Sequence, residues 1–104
     1  MSETVKRLRQ RTIDVAVDGP GIAKKETRRA AFENKDVPET AKKLVAKVAK
    51  NAWKVTDEDI AGAKAAGLSE DEIFELVICA ALGQATRQLD AALGALDAAK
   101  EEAS

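Results

Sequence analysis

Ala65-Ala66-Gly67-Leu68-Ser69-Glu70-Asp71-Glu72-Ile73-Phe74-Glu75-Leu76-Val77 is the stretch on which the fold turns. Ser69 and Glu72 stand at the spacing of a capping box. In that device a serine hydroxyl accepts the backbone N–H three residues on, and the carboxylate there accepts the serine's own N–H. Leu68 and Ile73 flank the box at hydrophobic-staple positions. Gly67 suits the end of a preceding helix, because glycine takes a left-handed backbone at no Cβ cost. One helix therefore stops at Gly67 and another starts at Ser69. Beyond the box Ile73, Leu76, Val77, Ala80 and Ala81 recur at three-and-four spacing, the helical period. Leu82, Leu89, Leu93 and Leu96 carry the apolar surface on, to a helix end near Lys100. Gly83 and Gly94 mark close helix contacts or a bend in it.

Upstream, Thr56 is placed to cap a short helix whose first turn holds Asp57, Glu58 and Asp59, with Val55 and Ile60 as its staple. Ala41, Leu44, Val45, Val48, Ala49 and Ala52 form the cleanest amphipathic stripe in the chain, opposite Lys42, Lys43, Lys47, Lys50 and Lys54. Pro38 suits the first position of that helix, where its missing N–H costs nothing. Asp18-Gly19-Pro20-Gly21 is a break between a helix from about Glu3 to Val17 and another from Ile22 to about Glu33. No segment sustains strand alternation. The fold class is all-α, about five helices with a long C-terminal one. Residues 1–37 are expected as an N-terminal helical extension on a core of residues 38–104, a single domain overall.

With 104 residues the chain can build one modest core. Hydrophobic residues make up 45%, but many are alanine, which buries little area. Such a core needs close helix approach or a partner subunit. Aromatics at 3% weigh against base stacking on nucleic acid. No run is apolar enough to span a membrane. The start Met1-Ser2-Glu3 has no apolar stretch of a signal peptide, and a lone cysteine makes no internal disulfide, so a cytoplasmic protein is expected. Net charge is −1, yet residues 1–54 hold 14 Lys/Arg against 7 Asp/Glu and residues 55–104 hold 3 against 11. Complementary packing of the two halves is the plain reading; a polyanion-binding face on the basic half is the sharper one.

Few side chains offer chemistry. Cys79 sits in the apolar run Leu76 to Leu82 and reads as a buried thiol before a redox or ligand-binding one. Asp59 reads as a first-turn helix residue, and acid–base work would require a cleft and a shifted pKa. Glu72 is a capping residue facing the same region. Trp53 is expected as a core or interface anchor, with a ligand-stacking role as the alternative. Lys24-Lys25 and Arg28-Arg29 read as a solvated face. No phosphate loop, metal-ligand cluster or nucleophile–base pair is legible, and no cofactor is expected.

The run from Val55 through Glu75, with A-A-G-L-S and then D-E-I-x-E ahead of an alanine-rich apolar helix, resembles the alkylhydroperoxidase D-like and carboxymuconolactone decarboxylase proteins. The likeness covers roughly residues 38–97. It implies an alkylhydroperoxidase D-like helical bundle assembled as a homo-oligomer, trimer or hexamer. Redox members carry a C-x-x-C pair and a histidine at the positions that are here Ala52, Val55 and Asp59. Thiol chemistry needs an attacking thiolate and a resolving thiol, so no thiol peroxidase activity is expected. The resemblance then implies a non-redox oligomer with a structural or small-ligand-binding role. A decarboxylase-like enzyme on small organic acids is the alternative, with Asp59 and Glu72 as its candidate catalytic groups and Trp53, Lys54 and Cys79 as its candidate ligand contacts.

Overall fold

The computed structural model describes residues 3–103. Among them are five α-helices and no strand: α1 (Glu3–Asp18), α2 (Lys25–Glu33), α3 (Glu39–Asn51), α4 (Asp57–Ala65) and α5 (Glu70–Ala103), with a 3-10 turn at Ala52–Lys54 between α3 and α4. α5 is the spine. All four other helices pack on it, and its 34 residues draw the molecule out to 56 × 27 × 21 Å.

The caps read from the sequence are in place. The Glu72 N–H donates to Ser69 Oγ at 3.1 Å, and the Ser69 N–H donates to Glu72 Oε1 at 3.0 Å. Gly67 has φ +107, the left-handed backbone expected where α4 ends. At Asn34 (φ 53) the chain makes a second left-handed stop, with the Lys35 N–H returned to the Ala30 carbonyl.

Helices α1 and α2 contribute to the core. Ile13, Val17, Ala23 and Ala31 are buried in one cluster with Leu44, Val45, Val48, Ile73, Leu76, Cys79 and Ala80. α1 runs antiparallel along α5: Arg9 bonds Asp90 at 2.8 Å, and one stretch back Cys79 meets the Ala16 carbonyl. A domain of this size has too little apolar area to leave two helices as an appendage.

Four local expectations are corrected. α2 starts at Lys25, three residues later than Ile22: Lys24 is extended, with ψ 144, and the N–H groups of Ile22 and Ala23 in the loop before it donate to the Glu75 carboxylate at 2.9 to 3.1 Å. Ile22 is thereby left exposed. Arg28 is not solvated. It is 3% exposed and donates from Nε to the Ala23 carbonyl in the loop and from Nη1 to the Ala16 carbonyl in the last turn of α1. Pro38 stands just before α3 with ψ 147, outside the helix. Ala52 leaves the α3 stripe, since the helix ends at Asn51 and the 3-10 turn swings Ala52 out to solvent.

Candidate functional site

Asp59 is held by its own helix start. Its Oδ2 accepts the Thr56 N–H at 2.9 Å and Thr56 Oγ1 at 3.1 Å, while the Asp59 N–H donates back to Thr56 Oγ1. Lys47, on α3, reaches the same oxygen at 2.6 Å. The Lys47 hydrogen bond and the Thr56 N–H together hold the Asp59 pKa down, to about 2. A carboxylate so fixed stays ionised and is poorly matched to proton transfer near neutrality. Asp59, Glu58 and Lys43 border an open cleft of about 250 Å³ between α3 and α4.

Glu72 is bound into the Ser69 box at the start of α5. Among the described residues, no hydrogen bond or ion pair joins it to Asp59. The two candidate acids therefore work as caps on separate helices. Cys79 is wholly buried, its thiol within 3.4 Å of the Ala16 carbonyl, and burial pushes its pKa up. It stands inside the core cluster. No group of His, Cys, Asp or Glu among the described residues is arranged to hold a metal ion.

Trp53 is 79% exposed, which corrects the core-anchor reading: the 3-10 turn projects it away from α3. Lys54 Nζ lies 5.0 Å from its ring centroid, a cation–π pair at the surface. Beside it runs a shallow groove bounded by Asn51, Ala81, Gln84, Ala85 and Gln88.

The largest uncommitted feature is the outward face of α5. Leu82, Leu89 and Leu96 repeat every seven residues, with Ala85, Ala92 and Ala99 interleaved at three-and-four spacing. Leu82 is half-buried against the core; the others are exposed, and Leu96 is 51% so. At its upper end the face is walled by α1, where Leu8, Arg11, Thr12, Val15 and Ala16 border an open trough of about 500 Å³ against Ile78. Leu8 and Val15 are each more than 60% exposed. Small soluble domains seldom leave an apolar strip of this length open to water. The leucines are visible in the sequence as a stripe. The alternating alanines are the signal that turns the stripe into a seam, since a repeat of seven is the period of helix–helix supercoiling.

The charge halves meet partly within the chain. Arg9–Asp90 and Lys47–Asp59 each join the basic half to the acidic half. No helix is long and apolar enough to cross a membrane among the described residues. Set against known proteins, the chain matches no family model, no curated protein and no solved structure.

Proposed function

We propose that this chain is a self-associating helical protein of structural or scaffolding role, a non-redox relative of the alkylhydroperoxidase D-like proteins, whose working surface is the outward face of α5. The observation that carries this reading is the uncovered run Ala85, Leu89, Ala92, Leu96 and Ala99 on a helix that outreaches its own core. The polar groups that an enzyme would use support it too: Asp59 and Glu72 are spent on caps, and Cys79 is sealed in the core. Burying apolar area of this kind contributes about 25 cal/mol per Å², and an alanine-rich domain gains little of it alone.

Sedimentation at low micromolar concentration tests the reading. The wild-type chain is expected as an oligomer, and Leu89→Glu with Leu96→Glu as a monomer of unchanged helix content. Those two side chains touch no core cluster, so their loss isolates association from folding. A wild-type chain that sediments as a single monomeric species would sink the proposal.

A further inference from the structure

Resting on that reading, we infer that the occupant of the α5 face is the α5 helix of a second copy, packed antiparallel and in one register. The argument begins with volume. The seam places leucine at one heptad position (82, 89, 96) and alanine at the other (85, 92, 99). In a parallel pair like meets like, so leucine layers hold the helices apart and alanine layers leave gaps between them. Interiors pack to near-crystalline density, so alternating gaps are costly. In an antiparallel pair each layer sets one heptad position against the other. Every layer then holds one leucine and one alanine, the large-against-small pairing that fills space evenly. The helices can approach to about 8 Å, the close end of the usual range.

The register follows from the same residues. Leu82 lies opposite the partner's Ala99, Ala85 opposite the partner's Leu96, and Leu89 opposite the partner's Ala92. The two-fold axis passes between Asp90 and Ala91. All six seam residues find a complement, and no other register pairs them all.

Charge agrees with this arrangement. The last turns of α5 carry Asp97, Glu101 and Glu102, and a parallel pair would bring both acidic tips together. In the antiparallel register each tip lies beside residues 79–84 of its partner, a stretch without charge. It also enters the trough that Arg11 borders. Arg11 and Asp97 make no ion pair among the described residues, so the contact satisfies charges left over within one chain. Opposed helix dipoles favour the same sense. A two-fold pairing requires an even number of chains. It therefore fits a dimer or a hexamer built of pairs and excludes a lone trimer.

Disulfide trapping in a Cys79→Ala background tests orientation and register together. A mixture of Leu82→Cys and Ala99→Cys chains is expected to form the mixed disulfide, since facing seam positions come within the roughly 4.4 to 6.8 Å that such a bond spans. Ala99→Cys alone is expected to stay unlinked, because its two copies stand 17 residues apart along the axis, about 26 Å. Linking of Ala99→Cys to itself, without the mixed product, would overturn the inference in favour of a parallel pair. An oligomer by sedimentation that yields neither product would overturn the seam while leaving self-association standing, whereas a monomer removes both. A spin label on Glu102→Cys, at an exposed site remote from the core, gives a second readout that does not depend on seam packing. The antiparallel register separates the two labelled backbones by 23 residues, about 35 Å along the axis, and a parallel pair brings them to about 10 Å.

Discussion

The Phe32 carbonyl oxygen lies 1.9 Å from where a Cβ on Gly83 would stand, so α2 rests directly on the α5 backbone. The same oxygen, at the end of α2, accepts Arg87 Nη1 at 2.8 Å. Gly83→Ala must push the two helices apart, and overpacking of this kind costs about 1 to 3 kcal/mol. Gly94 is the control, with nothing within 4 Å of its missing Cβ. Gly94→Ala is expected to stabilise by about 0.5 to 1 kcal/mol through helix propensity alone. Urea denaturation should move the two midpoints in opposite directions, and a shared direction would mean that α2 does not sit on Gly83.

Ser69 caps the longest helix of the molecule. Ser69→Ala leaves the Glu72 N–H without its acceptor and should lower stability by about 0.5 to 2 kcal/mol. An unchanged denaturation midpoint would show that α5 does not begin there.

Asp59 links stability to pH in the acid range. Its folded pKa lies near 2, below the ordinary 3.8, so its contribution is present above about pH 4 and is lost as pH falls towards 2. Asp59→Asn should therefore lower stability at pH 7 and flatten the acid limb between pH 4 and 2. Stability curves for the two proteins that stay parallel through that window would refute the Lys47–Asp59 pairing.

Cys79 should be inert in the native protein. Its thiol is buried and its pKa is raised, so little thiolate forms at neutral pH. A thiol-reactive dye is expected to label it only after denaturant is added. Peroxide consumption with a dithiol reductant should stay at the uncatalysed rate; turnover that disappears in Cys79→Ser would contradict this.

How much of this was legible beforehand varies by element. The Ser69 capping box, the Thr56 cap, the Gly67 stop and the period of α3 and α5 are contained within a few consecutive residues, so short-range hydrogen bonding and side-chain spacing settle them. Ile22 and Arg28 were misjudged because their surroundings come from far along the chain. Glu75, 53 residues away from Ile22, accepts the N–H groups of Ile22 and Ala23 and anchors the loop ahead of α2. The Ala16 and Ala23 carbonyls give the Arg28 guanidinium partners inside the core. For the candidate site, spacing located Asp59 at the start of α4, but the lysine that fixes its charge stands on another helix, at Lys47.

By itself the sequence determined the helices, their caps, the lone thiol and the leucine stripe, because each is a pattern among near neighbours. Only the tertiary structure decided which stripe is spent. α3 turns its apolar residues onto α5, and the first half of α5 is covered by α1, α2 and α3, while the outer face from Ala85 to Ala99 is left uncovered among the described residues. The physical reason is length. A helix of 34 residues rises about 51 Å, and helices of 9 to 16 residues cannot cover all of it.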